Sequence, residues 1–224
     1  MTLASKFPRF LATPKGRVVA GLSLAGGVVG FGAGLLIGEL EKGGALSLAT
    51  LVWSDILSGI IALMLIATGL MVLIVSFSRK ASGRLLDPAS ERDATSAQAS
   101  YYRQQGLVSL LAGLMLAAPI LVLAVDDPPP FELAAAVMTG IAALFLFQTV
   151  VNLTLWVRSD ELVRRVISET GAATFWILQG ALFLWAAGEK LGLLPALTLW
   201  DAVSLMMAGY LLIAAIVAGR RGLG

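Results

Sequence analysis

Cysteine and histidine are both absent from the 224 residues. Their absence excludes disulfides, thiolate nucleophiles, Cys/His zinc centres, imidazole-held haem or copper, and a histidine general base. Charge is scarce as well: Asp, Glu, Lys and Arg make up 13% of the chain, about half the share of a typical soluble domain. The five lysines (Lys6, Lys15, Lys42, Lys80 and Lys190) all lie outside the apolar runs, which argues against a buried Schiff-base lysine. No nucleophile–base pair, metal-ligand cluster or phosphate-cradling loop stands out, so the sequence points to a non-catalytic protein without cofactor or metal.

What the chain has in quantity is apolar length. Hydrophobic residues make up 58% and the mean hydropathy is +0.89. A helix needs about 20 apolar residues to cross a hydrocarbon core about 30 Å thick. Six runs meet that length: Val18–Gly38, Ile56–Phe77, Gly106–Val125, Leu133–Trp156, Val166–Ala187 and Ala202–Gly219. They are continuous rather than alternating and far exceed a barrel strand of about 10 residues. The expected fold is therefore all-α: one polytopic membrane domain over residues 1–224, with six transmembrane helices arranged as three hairpins. The last run is the shortest and needs Trp200 or little tilt.

The net charge of +2 and the sequence pI near 9.2 are topology signals rather than a nucleic-acid footprint. Fourteen of the sixteen Lys and Arg fall on one side: the tail to Arg17, the loop Ser78–Arg103, Arg158, Arg164, Arg165, Arg220 and Arg221. Only Lys42 and Lys190 fall opposite. The positive-inside rule then puts both termini in the cytoplasm, and the sparing use of lysine with richness in Ala, Gly, Leu and Arg fits a bacterial source, hence its inner membrane. Trp53, Trp185 and Trp200 mark the outer edge, and Tyr101, Tyr102 and Trp156 the inner edge. The first run is too long for the apolar region of a cleaved signal peptide.

Along the chain, the basic tail to Arg17 reads as an interfacial anchor or a solvated segment, with Pro8 and Pro14 against one continuous helix. The first span spaces Gly26, Gly30, Gly34 and Gly38 four apart. That places them on one face as a helix-packing groove, a glycine zipper for another span or a second copy. Asp55, at the start of the second span, is placed to cap free N–H groups, as is Ser54. Pro119 interrupts the third span and predicts a kink, and Asp126-Asp127-Pro128-Pro129-Pro130 ends it.

Polar residues inside the apolar runs are the candidate site. Gln148 and Asn152 lie four apart on the fourth span. A charged box, Ser159-Asp160-Glu161-Leu162-Val163-Arg164-Arg165, leads into the fifth, which carries Glu169 and, deeper, Gln179. Asn152 and Glu169 each lie about 5–6 Å inside the inner boundary, a depth at which neighbouring antiparallel helices bring them together. Amides and carboxylates at membrane depth face protein or water rather than lipid. Glu169 reads either as a proton or cation relay or as an acid paired with Arg165 and reaching the interface. Asp160, Glu161, Arg164 and Arg165 read either as a capped, solvated helix start or as a partner-recognition box.

The first and last hairpins look alike. Glu41-Lys42-x-Gly44 matches Glu189-Lys190-x-Gly192, and Asp55-x-x-Ser58-x-x-x-Ala62 matches Asp201-x-x-Ser204-x-x-x-Ala208. The second half also resembles a group of small, uncharacterised bacterial inner-membrane proteins. The residues that carry the resemblance are Asp160, Glu161, Arg164 and Arg165 ahead of a span, Glu189 and Gly192 after it, and Trp200 before the next. It covers about 60 residues and implies a membrane location without an activity.

Two functions remain in view. In the first, a non-catalytic membrane protein packs with or stabilises a membrane partner, complex or second copy. In the second, a small transporter or channel moves a proton, ion or small solute along the polar face of spans four and five. The partners implied are the lipid bilayer and a membrane protein, with no role for nucleic acid.

Overall fold

The computed structural model describes residues 30–32, 34–35, 37–39, 41–43, 51–86, 93–126 and 128–220. Among them the regular elements are helices: α1 (Trp53–Ser76), α2 (Arg79–Leu86), α3 (Ser96–Val125), α4 (Phe131–Arg158), α5 (Glu161–Lys190) and α6 (Leu199–Arg220). The described residues between 30 and 42 are helical too. All of the named helices except α2 are long and apolar enough to cross a membrane, which makes five among the described residues. They contain the last five apolar runs of the sequence, except that α1 stops one residue short of Phe77. Most of the first run, the basic tail and the middle of the loop between α2 and α3 lie outside the described residues. The shortest span, α6, starts at Leu199 and so takes in Trp200; its 22 residues give about 33 Å at 1.5 Å per residue.

The chain divides into two compact units, Met1–Thr50 with Ala62–Leu155, and Leu51–Ile61 with Trp156–Gly224. Helix α1 is continuous through the boundary at Ile61.

In the first unit, α1 and α3 cross in direct backbone contact, and glycine is the reason they can. A Cβ on Gly69 would stand 2.6 Å from Leu110 N and 2.8 Å from Gly106 O. One on Gly106 would stand 2.9 Å from both Gly69 O and Leu73 N, and one on Gly113 would stand 2.8 Å from Ala62 O. Contacts that advance along α3 from Gly106 to Gly113 retreat along α1 from Leu73 to Ala62, so the two helices are antiparallel. Such close approach is how membrane helices gain dispersion energy where lipid removes the hydrophobic drive. Helix α3 begins with a complete capping box. Thr95 Oγ1 accepts from Gln98 N (3.2 Å), and Gln98 Oε1 accepts from Thr95 N (2.9 Å). Helix α3 then continues through Pro119 to Val125.

In the second unit, Asp160 caps α5 by accepting from Val163 N at 2.8 Å. The far end of α5 closes on Gly192, whose φ of +71° is the left-handed conformation that glycine adopts without a Cβ penalty. Leu193 N donates back to Gly188 O (2.8 Å), and Leu194 packs over Gly188, where a Cβ would meet its Cδ1 at 2.7 Å. Two further bonds tie the turn to α5: Trp185 Nε1 donates to Pro195 O (3.0 Å), and Leu197 N donates to Glu189 Oε2 (3.2 Å). The Glu189 and Gly192 of the sequence resemblance are thus turn-building residues. Helices α5 and α6 pack together beyond that turn, with Leu178 against Gly209.

Candidate functional site

Two arrangements of polar side chains stand out in the apolar spans. The first joins the starts of α1 and α6 in the second unit. Asp55 Oδ2 accepts from Val52 N (3.0 Å), and Asp201 Oδ2 accepts from Thr198 N (2.9 Å). Each carboxylate thus caps its helix from the same position. Three residues further on, Ser58 Oγ and Ser204 Oγ meet at 2.6 Å, and both residues are wholly buried. Ser204 also donates to Trp200 O at 2.8 Å and lies 3.4 Å from Ser54 O.

The segments that match in sequence, Asp55-x-x-Ser58 and Asp201-x-x-Ser204, therefore lie against each other. Ser54 sits beside Asp201, and Ser58 against Ser204. The contacts advance together along both helices, so α1 and α6 are parallel here. The seam is not fully satisfied. Ser54 Oγ is buried beside the Asp201 carboxylate but outside hydrogen-bonding geometry, and the buried Trp200 Nε1 has no partner.

The second arrangement is the polar set on α4 and α5. In the first unit, Gln148 is buried, and its Nε2 donates to Val108 O of α3 at 2.9 Å. Its amide is a packing link to α3. Asn152, one turn further along α4, is exposed. In the second unit, Glu169 and Gln179 are exposed on α5. They share a stripe with Trp176 and Phe183, which are 71% and 69% exposed, opposite the buried Thr170 and Thr174.

The charged box divides by role. Asp160 is the cap of α5. Arg164 donates to Val157 O (3.3 Å) and Ser159 O (3.2 Å), and its guanidinium lies 5.2 Å over the Trp156 ring. Together these residues shape the connection from α4 to α5. Glu161 and Arg165 are exposed.

Of the glycine groove, Gly26 lies outside the described residues. Gly30, Gly34 and Gly38 are helical, and nothing stands within 4 Å of where their Cβ atoms would be. The glycines that sequence reasoning missed are Gly69, Gly106 and Gly113. Their signal is a shared interval, Ala62 to Gly69 on one helix and Gly106 to Gly113 on the other.

Among the described residues, no group of three or more Asp and Glu is placed to hold a metal ion. No known protein family, curated protein or solved structure matches the chain.

Proposed function

We propose that this chain is a non-catalytic integral membrane protein that packs with or stabilises a membrane partner. The observation that carries the reading is the outward placement of Asn152 and Gln179 on spanning helices. Amide groups at that depth are costly against lipid and are ordinarily covered by protein or water. Helices α4 and α5 also bury less of their apolar windows than the other spans. Gln148, committed to Val108 O, adds packing rather than a free polar group, which favours assembly over conduction. The partner is a membrane protein or a second copy of this chain.

Six crossings with both ends in the cytoplasm of a bacterial inner membrane belong to the same proposal. Supporting it is the lopsided basic charge of the sequence.

Leucine substitution tests the reading by its sign. If Asn152 and Gln179 face a partner, Asn152→Leu and Gln179→Leu weaken co-purification of a defined protein from native membranes. If they face lipid, both variants bind as wild type and become more stable, and the proposal fails. Photo-crosslinkers at positions 152 and 179 should give one discrete protein adduct rather than lipid adducts alone. The alternative, transport along spans four and five, draws on the exposed Glu169. Its test is proton flux in liposomes, where unchanged flux with Glu169→Gln removes that carboxylate as a relay.

A further inference from the structure

The end of the first unit where α1 gives way to α2 combines an apolar ridge with a group of cations. Leu70, Ile74 and Phe77 are spaced four and three apart and so share a face of α1 and its exit. All are exposed, Ile74 by 70% and Phe77 by 74%. At the top of this ridge the Arg103 guanidinium, from the first turns of α3, lies 4.9 Å over the Phe77 ring. That is a cation–π distance, and it holds a positive charge where the apolar surface ends.

Helix α2 starts at Arg79, only Phe77 and Ser78 after α1 ends, so it lies at the membrane boundary. It is held there firmly. Ser78 Oγ accepts from Ala81 N (3.3 Å), and Ser82 Oγ donates to Val75 O (3.2 Å). Arg79 and Ala94 exchange two bonds, Nε to O at 2.8 Å and N to O at 2.9 Å. With Ser82 and Gly83 buried, Lys80 and Arg84 stand exposed at i, i+4 on the outer face. Among the described residues of 77–103 the cations are Arg79, Lys80, Arg84 and Arg103, against Asp93 as the one carboxylate.

We propose that this corner binds an anionic phospholipid. Its phosphate lies at Lys80, Arg84 and Arg103, and its acyl chains run along Leu70, Ile74 and Phe77. A free phosphate matches the cations but leaves the ridge unexplained. A zwitterionic lipid matches the ridge but gains less from the excess positive charge. The proposal rests on the membrane reading of the chain and not on the existence of a protein partner.

The test uses the full chain in mild detergent, with phosphatidylglycerol, phosphatidylcholine of the same acyl chains, or inorganic phosphate added. Native mass spectrometry reads retained lipid, and thermal unfolding reads stabilisation. Wild type should retain phosphatidylglycerol about a hundredfold over phosphatidylcholine, the factor matching three basic residues at ~1 kcal/mol each, and be stabilised by it. Arg103→Gln should lower phosphatidylglycerol retention about fivefold, the factor matching ~1 kcal/mol per basic residue. Lys80→Gln with Arg84→Gln should lower it further, and both variants should leave phosphatidylcholine retention unchanged. Ile74→Ser, which takes away ridge surface without touching the Arg103–Phe77 contact, should weaken both lipids alike. Lys190→Gln, in the other unit, should change neither. Equal retention of the two lipids by wild type overturns the proposal, as does undiminished phosphatidylglycerol binding by the cation variants. Displacement of the lipid by equimolar inorganic phosphate assigns the site to a free anion and overturns the lipid assignment.

Discussion

Adding one methyl group at Gly69 tests whether the α1–α3 crossing holds the first unit together. The new Cβ would sit 2.6 Å from Leu110 N, 2.8 Å from Gly106 O and 2.9 Å from Leu110 Cα, all backbone atoms. No rotamer change relieves contacts with backbone, so the helices must part by about 1 Å to restore ordinary separations of about 3.5 Å. A gap of that size forfeits a quarter to a half of each dispersion well along the crossing, and overpacking of this kind costs about 1–3 kcal/mol. The helix propensity of alanine pulls the other way by at most about 1 kcal/mol in water, so the net effect of Gly69→Ala is destabilising. Gly106→Ala should behave alike, because its Cβ would meet Gly69 O and Leu73 N at 2.9 Å. The double variant should cost less than the two singles added, since one parting of the helices accommodates both methyl groups. Gly140→Ala on α4, with nothing within 4 Å, is the control and should be neutral or slightly stabilising. The assay is unfolding in mild detergent titrated with sodium dodecyl sulfate, followed by helicity. Equal midpoints for Gly69→Ala and Gly140→Ala would refute the claim that backbone contact sets the stability of this crossing.

The other packing features give smaller, separable effects in the same assay. Ser204→Ala leaves the buried Ser58 hydroxyl without its 2.6 Å partner and should cost about 1–2 kcal/mol, whereas Ser58→Ala should cost less, because Ser204 still donates to Trp200 O; replacing both should cost less than the sum, because no hydroxyl is then left unpaired. Asp160→Ala removes the cap from α5 and should cost about 1 kcal/mol, with Asp160→Asn recovering most of it. Gly192→Ala forces a Cβ into a φ of +71° and should cost about 1–2 kcal/mol, although space there is open.

Five of the six expected spans were legible as long apolar helices, because crossing a bilayer demands length and apolarity, and both are written locally. Helix α6 extends the run Ala202–Gly219 back to Leu199, which gives the shortest span the length it lacked. Helix starts were legible for a related reason. Asp55 and Asp160 cap backbone groups three residues away, a relation contained in a few neighbouring positions. The repeat of Asp-x-x-Ser was visible as a pattern, but its consequence was not. Similarity between two segments carries no statement that they touch, and the Ser58–Ser204 bond spans 146 residues. Gln148 shows the same limit: an amide in a span announces that it needs a partner without naming the Val108 carbonyl.

The two sets of glycines show most clearly why helix packing resists reading from one segment at a time. Gly30, Gly34 and Gly38 have the more regular spacing, yet nothing approaches them among the described residues. Gly69 has no glycine four positions away on its own helix and is in backbone contact with α3. Spacing within one helix says only that a smooth face exists. Whether another backbone reaches that face depends on a matching small residue on the opposing helix, at the right height and in the right direction. Here the match is Ala62 and Gly69 against Gly113 and Gly106, equal intervals read in opposite directions. Antiparallel neighbours with equal small-residue intervals can close at two levels at once, whereas a single glycine gives only a local dent. The useful signal is therefore a correlation between two spans, and among the described residues Gly30, Gly34 and Gly38 have no such match.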